Sequence, residues 1–193
     1  LAGHLNQCEG LLSERERKVA VRVNLAAAIR AASAMALVEA SAYVEAAVRF
    51  AGDGIWTSDA RFAFELYFER ARIAFLAGER AVCKVTTDQL LSRAQTPALR
   101  ARVYLLMTHQ ASSVPDFRAA VRLGLQGLRI LGFDLPDAED EPAVKAAFRR
   151  EIERFEAQAP AIDLFELPEA TDERVLGAFE LLDGLIAEAI LSN

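Results

Sequence analysis

The apolar residues of this chain recur at steps of three and four, the spacing of one face of an α-helix, almost from end to end. The pattern is sharpest in residues 116–136, DFRAAVRLGLQGLRILGFDLP. One stripe of that segment consists of Phe117, Val121, Leu125, Leu128 and Leu131. No stretch alternates apolar and polar residues for long, so no strand is predicted. The pattern predicts an all-α fold of roughly eight or nine helices.

A second face of the same segment carries only small residues, Ala120, Gly124 and Gly127. Glycine inside a helix costs roughly 0.5–1 kcal/mol relative to alanine. Two glycines about one turn apart therefore suggest a packing reason for that cost. We expect another helix to approach the backbone closely along this face.

Helix ends are marked at several points of the sequence. Ser13 and Glu16 have the spacing of a capping box, Thr96 precedes Pro97 as an N-cap does, and Thr57, Ser58 and Asp59 are N-cap candidates. Glycines at 52 and 78 are expected to end helices. Near residues 35–39 a hairpin needs a turn, yet no glycine or proline marks one.

The inward faces of three further helices follow from the same spacing. The inward residues of the first long helix, which runs to about Met35, are predicted to be Val19, Val23, Ala26 and Ala27. The outer helix that begins at Pro142 is predicted to face inward with Val144, Phe148, Ile152 and Phe155. The last helix is predicted to face inward with Val175, Phe179, Leu182, Ile186 and Ile190.

A loose internal repeat accompanies these helices. Gly78 and Pro115 lie 37 residues apart, close to the ~34-residue tetratricopeptide period. This spacing predicts tetratricopeptide-like antiparallel hairpins stacked in a right-handed superhelix. No linker divides the chain, so a single helical-repeat domain, 1–193, is predicted and is interpreted as a fragment of a longer chain. Its predicted parts are N-terminal helices (1–57), two hairpins (58–131) and C-terminal capping helices (132–193).

Composition and charge limit the classes of partner that we expect this chain to bind. A net charge of −6 argues against nucleic acid, whose phosphates need a surplus of Lys and Arg. No apolar run reaches the ~18–20 residues of a membrane span, so no membrane partner is expected. Cys8 and Cys83 fit no metal or redox spacing and are interpreted as buried reduced thiols, which favours a cytoplasmic location. A protein partner is therefore expected.

The inventory of chemical groups offers no reactive centre. Only two histidines are present, His4 and His109, and no E-x-x-H pair of a di-iron bundle occurs. The Walker pattern and the G-x-S-x-G nucleophile motif are also absent from the sequence. We predict no catalytic residue, no metal and no cofactor.

Five residues are candidate partner contacts: Trp56, Arg61, Glu65, Glu69 and Arg72. The four charged residues are interpreted either as ion pairs on a solvated helix face or as the polar lining of a repeat groove. Trp56 is either a buried staple that fastens the loop to the core or, if exposed, an interface anchor. The basic cluster at residues 15–22 is diluted by acidic residues and is interpreted as a solvated helix face.

Several segments resemble a known family. They are HLNQCEGLL, NLAAAIRAAS, ASAYVEAAVRFAGDGIW, FELYFERARIAFLAGE, RARVYLLMTHQ, GLQGLRILGFDLP and DLFELPEATDERV. They are similar to the helical segment of very large bacterial signalling proteins. Those proteins often join a Ser/Thr-kinase-like domain and a STAND-type predicted ATPase to GAF or PAS sensory domains and a histidine kinase. The alanine-rich region of this chain is longer than the family's usual first hairpin.

The resemblance implies a scaffold that links an ATPase module to downstream sensor and kinase modules, with the ATP site and the phosphorylated histidine in other domains. A free-standing peptide-binding adaptor of the same fold is the near alternative, and a groove lined by convergent Asn, Lys or Arg residues would favour it. A helical enzyme or small-molecule-binding domain is the third hypothesis, and it requires an enclosed pocket with converging ionisable groups.

Overall fold

A computed structural model describes residues 2–112, 117–137, 140–158 and 169–191. This part of the chain contains no strand, which confirms the all-α prediction. It contains ten α-helices, against the roughly eight or nine predicted, and the short helix at 55–58 lies in a stretch that was expected to be a loop. The helices are α1 Ala2–Gln7, α2 Glu14–Ser33, α3 Leu37–Ala51, α4 Ile55–Ser58, α5 Ala60–Leu76, α6 Arg80–Arg93, α7 Pro97–Ser112, α8 Phe117–Ile130, α9 Glu141–Gln158 and α10 Glu173–Leu191. A 3₁₀ turn, Glu9–Leu11, follows α1.

The helices form two compact units, Leu1–Ala94 and Gln95–Asn193. The first unit contains α1 to α6 and the second contains α7 to α10. The two predicted hairpins of residues 58–131 are α5–α6 and α7–α8, one in each unit. The single domain and the right-handed superhelix remain predictions.

In the first unit α3 packs against both α2 and α5, and α5 packs against α6. The connection between α2 and α3 is short, as expected of antiparallel neighbours. Much of the buried surface is alanine: Ala28 of α2, Ala40 and Ala47 of α3, and Ala63 of α5 are completely buried. Since alanine side chains are small, the backbones of these helices can approach each other closely.

The inward face of α2 differs from the prediction. Val19 is 52% exposed, Ala26 is exposed, and Val23 and Ala27 are only partly buried. The face that packs inward is offset and consists of Ala20, Val21, Asn24, Leu25, Ala28 and Ala32.

The offset follows from the polar residue Asn24, which is completely buried. Its amide exchanges hydrogen bonds of 2.9 and 3.0 Å with the amide of Asn6 in α1 and donates to the Ala20 carbonyl at 2.9 Å. A buried amide is tolerated when its hydrogen bonds are made. Apolar periodicity alone cannot predict that an asparagine lies on the core face.

The unmarked turn between α2 and α3 is built on Met35. This residue has φ 58°, in the left-handed region that glycine usually occupies. The N–H of Ala36 donates to the Ala31 carbonyl at 2.9 Å, and the N–H of Met35 donates to the Ala32 carbonyl at 3.0 Å. A left-handed residue thus ends the helix, but without the glycine that would have identified the turn in the sequence.

The predicted helix starts at Ser13, Asp59 and Thr96 are confirmed. Ser13 and Glu16 form both hydrogen bonds of a capping box. Asp59 accepts a hydrogen bond from the Phe62 N–H at 3.1 Å, and Thr96 accepts one from the Leu99 N–H at 3.2 Å.

In the second unit α10 packs against both α7 and α8. Its side chains Leu181 and Leu185 fill the space over Gly127 and Gly124 of α8. Ala120, on the same face, is completely buried. The predicted close approach of another helix is therefore confirmed. In the larger stripe of α8, Leu128 and Leu131 are buried; the side chain of Phe117 lies outside the described residues.

The predicted inward stripes of α9 and α10 are wrong. In α9 all four residues, Val144, Phe148, Ile152 and Phe155, are exposed. Among the described side chains of α10 the buried residues are Ala178, Leu181 and Leu185. Of the predicted stripe, Val175 is partly buried, Phe179 is 64% exposed and Leu182 is 39% exposed. The side chains of Ile186 and Ile190 lie outside the described residues.

The reason is that α10 has two apolar faces, and periodicity does not say which one packs. The face that packs is the one with leucines complementary to the glycines of α8. In the part of the chain that the structure describes, no helix has both the length and the apolar character needed to cross a membrane.

Candidate functional site: a cleft beside α2 in the first unit

The first unit contains a cleft of about 600 Å³. It lies between the first half of α2, the end of α3, the short helix α4 and the start of α5. Its apolar lining consists of Val21, Phe50, Ala51, Ile55 and Phe62. This volume lies within the range of sites that hold small ligands.

The chain forms this cleft because α3 and α5 are not joined directly. Gly52 ends α3 with φ 60°, a conformation that side-chain-bearing residues rarely adopt. The chain then makes the single turn of α4 before Asp59 caps α5. This detour separates the end of α3 from the start of α5 and leaves Ile55 and Phe62 lining the recess.

Five charged residues surround the apolar lining: Glu14, Arg17, Lys18, Arg22 and Asp59. Lys18 pairs with Glu14 at 3.4 Å, and Arg22 approaches Asp59 at 3.9 Å. The Arg22 guanidinium also lies 4.6 Å from the centre of the Phe62 ring, in cation–π geometry. Arg17 has no ionic partner among the described residues, so the rim carries one unpaired positive charge.

Sequence reasoning missed the cleft residues Arg17, Lys18 and Arg22. The signal was present as the basic cluster at residues 15–22, which was interpreted as a solvated helix face. Helical spacing places Arg17 and Val21, and likewise Lys18 and Arg22, along one side of α2. This side forms the wall of a cleft only because α4 and α5 pack beside it.

Trp56 is 8% exposed, so the indole is buried, as the staple interpretation requires. Its ring centre lies 5.0 Å from that of Tyr67, and the Arg93 guanidinium lies 5.2 Å from the ring centre. Its indole N–H finds no hydrogen-bond acceptor among the described residues. Trp56 thus fastens α4 to α5 and α6, and it does not line the cleft.

The four charged candidates on α5 do not line the cleft either. Arg61 is exposed and Glu65 is partly buried. Glu69 accepts two hydrogen bonds from Arg72, at 2.9 and 2.6 Å, across a spacing of three residues. The first interpretation expected ion pairs on a solvated face, whereas the Arg72 and Glu69 side chains of this pair are only 33% and 20% exposed. A role of these residues in partner contact remains a prediction.

An ion pair that the sequence did not predict joins three helices of the same unit. Arg70 of α5 binds Glu45 of α3 through two hydrogen bonds, at 2.6 and 3.0 Å, and donates to the Thr86 hydroxyl of α6 at 3.4 Å. The Arg70 side chain is only 20% exposed. Since these partners are 25 and 16 residues away, no local spacing could have indicated them.

Of the two cysteines, Cys83 is buried as predicted, whereas Cys8 is exposed, so the prediction of a buried thiol is wrong for Cys8. Burial raises the pKa of the Cys83 thiol to about 11, and its sulfur lies 3.2 Å from the Ala71 carbonyl oxygen as a hydrogen-bond donor. Hydrogen bonds from Ser13 lower the pKa of the exposed Glu16 carboxyl. Within the described ranges no three His, Cys, Asp or Glu side chains are grouped so that they could hold a metal ion. No protein-family model, no curated protein and no solved structure matches this chain.

Proposed function

We propose that this chain is a non-catalytic interaction domain that serves as a scaffold in a cytoplasmic bacterial signal-transduction protein. In this role it joins an ATPase module to downstream sensory and kinase modules through protein–protein contacts. The signalling context is taken from the resemblance of its segments to the helical part of such proteins. The cleft beside α2 is the single structural observation that carries the interaction role.

The cleft suits a protein segment because it combines apolar and charged surface. Ile55 and Phe62 are partly exposed in the cleft and offer apolar area whose burial stabilises a complex by about 25 cal/mol per Å². Arg17 at the rim offers a charge without an ionic partner among the described residues, and such charges select partners and speed association. Apolar centres with polar rims are typical of protein–protein interfaces.

The packing of the first unit supports a mechanical role. Hydrogen bonds of Arg70 to Glu45 and Thr86 tie α5 to α3 and α6, and α2, α3 and α5 each bury alanines in the core. A segment bound in the cleft would contact α2, α3, α4 and α5 together. A force or displacement at the cleft is then shared by several helices, since closely packed interiors transmit strain.

The test uses the ATPase module and the kinase module of the same polypeptide, each purified and titrated with this chain by isothermal calorimetry. We expect at least one module to bind, and we expect Arg17→Glu and Phe62→Ala each to weaken binding about tenfold or more. The matched control is Arg15→Glu, which makes the same charge change on α2 at an exposed residue outside the cleft. Binding that is unchanged by the cleft variants, or lost equally in the control, contradicts the proposal.

A free-standing peptide-binding adaptor is the second candidate. The observation that favours it is the convergence of Arg17, Lys18 and Arg22 on one cleft. A fluorescein-labelled amphipathic peptide of leucine and glutamate, measured by fluorescence anisotropy, tests it. Micromolar binding that disappears in Arg17→Glu, combined with no binding of either module, favours the adaptor.

An enzyme is the third hypothesis, and it has the least support. We expect no ATP hydrolysis by the pure chain above a buffer blank. Hydrolysis that survives further purification steps and is lost in a cleft variant would support the enzyme hypothesis.

A further inference from the structure

Helix α9 carries an apolar stripe that the rest of the described structure leaves uncovered. Its four members are Val144 at 38% exposure, Phe148 at 68%, Ile152 at 40% and Phe155 at 56%. The spacing of four, four and three residues places all of them on one side of the helix. Two phenylalanines more than half exposed on one helix make an apolar surface of the kind that marks interaction sites.

The stripe points away from the neighbouring part of the second unit. The opposite side of α9 carries Ala143, Ala146 and Arg150, which border a shallow recess together with Arg129 and Asp134 at the end of α8. Helical geometry places these three α9 residues on the side away from Phe148 and Phe155. Contacts between α9 and the other described helices are few, so none of these helices covers the stripe.

The charges of α9 are divided between its two halves. Residues 141–150 contain Glu141, Lys145, Arg149 and Arg150, and residues 151–158 contain Glu151, Glu153, Arg154 and Glu156. The first half is therefore net positive and the second half net negative. Lys145 pairs with Glu141, and Arg154 lies 3.9 Å from Glu151. Glu156 is exposed and has no ionic partner among the described residues.

We propose that α9 is a homodimerisation element, which pairs antiparallel with α9 of a second copy through the stripe from Val144 to Phe155. A two-fold axis makes each interface residue of one copy meet its counterpart in the other copy. In the antiparallel arrangement the positive half of each helix faces the negative half of the other. A parallel arrangement would place like charges together, which is unfavourable.

The register follows from the stripe itself. Centring the pair on the stripe places Val144 of one copy beside Phe155 of the other, and Phe148 of each copy close to the axis. Lys145 of one copy then lies on the same flank as Glu156 of the other, within roughly two residues along the axis, or ~3 Å. The two-fold axis generates this juxtaposition of Lys145 and Glu156 twice. The charges of one copy are therefore complementary to those of a second copy.

The contact involves one helix from each copy and is small, so we expect a weak dimer, with a dissociation constant of roughly 10–100 μM. Sedimentation equilibrium of the full chain across this concentration range should show the mass rise from 21.1 kDa towards twice that value. The double variant Phe148→Ser, Phe155→Ser should raise the dissociation constant about 100-fold or more, because each substitution removes an apolar ring from the dimer interface.

The matched control is Phe179→Ser on α10. Phe179 is 64% exposed and Phe148 is 68% exposed, so both changes remove an equally accessible ring from the same unit. We expect the control to dimerise as the wild type does. A wild-type chain that stays at 21.1 kDa throughout overturns the proposal. Loss of the dimer in Phe179→Ser with retention in the α9 variant also overturns it, and assigns the interface to α10.

Cross-linking tests the orientation. In a Cys8→Ser background, which removes the exposed native thiol and leaves the buried Cys83, Lys145→Cys and Glu156→Cys are prepared as separate chains. With a short bismaleimide, the antiparallel pair cross-links only when the two variants are mixed. Efficient cross-linking of each variant alone indicates a parallel pair and overturns the proposal.

Discussion

Leu185 occupies the space in which Gly124 would carry a side chain. Its Cγ lies only 2.6 Å from the position of a Cβ built on Gly124, closer than real Cβ atoms approach. Leu185 is itself 7% exposed, so it has little room to move. The absence of a side chain on α8 is therefore what allows α10 to pack where it does.

This contact predicts opposite effects for two glycine substitutions. Gly124→Ala should lower the free energy of unfolding by about 1–3 kcal/mol, because the added methyl group overpacks a buried contact. Gly177→Ala, whose Cβ would meet Leu131 at an ordinary 3.4 Å, should raise it by roughly 0.5–1 kcal/mol through helix propensity. Urea unfolding followed by circular dichroism measures both, and a stabilising Gly124→Ala would contradict the close packing.

The turn at Met35 predicts a stabilising substitution. Met35 has φ 58° and is 69% exposed, so its side chain makes little contact that would be missed. Met35→Gly should raise the free energy of unfolding by about 1 kcal/mol, because glycine adopts this conformation without the steric cost.

Gly78→Ala is the reciprocal control for the turn. Gly78 has φ 75°, and no atom lies within 4 Å of the position of an added Cβ. Alanine there should cost about 1 kcal/mol through backbone strain alone. Thermal unfolding of both variants checks the pair, and a Met35→Gly chain less stable than the wild type would show that the turn is built differently.

The ion pair between Arg70 and Glu45 should contribute more to stability than a surface pair. Arg70 is bound through two nitrogens and is 20% exposed, so a double-mutant cycle with alanine at both positions should give a coupling of about 1 kcal/mol.

Lys84 and Asp88 provide the comparison, since they form a single exposed pair within α6 at 2.8 Å. Their coupling should be about 0.3 kcal/mol. The same urea titrations measure both cycles. Equal couplings for the two pairs would mean that the geometry of Arg70 gives no advantage.

The two cysteines should differ in reactivity. Cys8 is exposed, whereas Cys83 is buried and has its pKa raised to about 11. The thiolate is the reactive form, so an aromatic disulfide reagent at pH 8 should modify Cys8 rapidly and Cys83 only in urea. Equal rates for the two thiols in the native chain would contradict the burial of Cys83.

The same pKa shift predicts a loss of stability in alkali. The folded pKa of Cys83 lies above its ordinary value of 9.0, so the folded chain holds the thiol proton more tightly than the unfolded chain does. The contribution of this group to stability is therefore complete below about pH 9 and is lost as the pH rises from about 9 to about 11. Unfolding free energies of wild type and Cys83→Ala, compared across this range, isolate the effect from other titrating groups.

Local sequence was sufficient for the helices and for most of their ends. The capping box of Ser13 and Glu16 and the cap at Asp59 involve partners three residues away, so short spacings identify them. The face of small residues on α8 could also be interpreted from the sequence. Glycine inside a helix is destabilising, so its presence there indicates a closely packed neighbour. These predictions depend only on residues within one or two turns of each other.

Tertiary structure decided which faces are buried and where the cleft lies. Asn24 lies in the core because Asn6 completes its hydrogen bonds, and Arg17 borders a cleft because α4 and α5 pack beside α2. The stripes of α9 and α10 show the same limit: Phe148 and Phe179 are exposed although their spacing is that of a core face. Apolar periodicity shows that a helix face can be buried. Whether it is buried depends on a partner surface that is distant in sequence, and the two surfaces come together only when the chain folds.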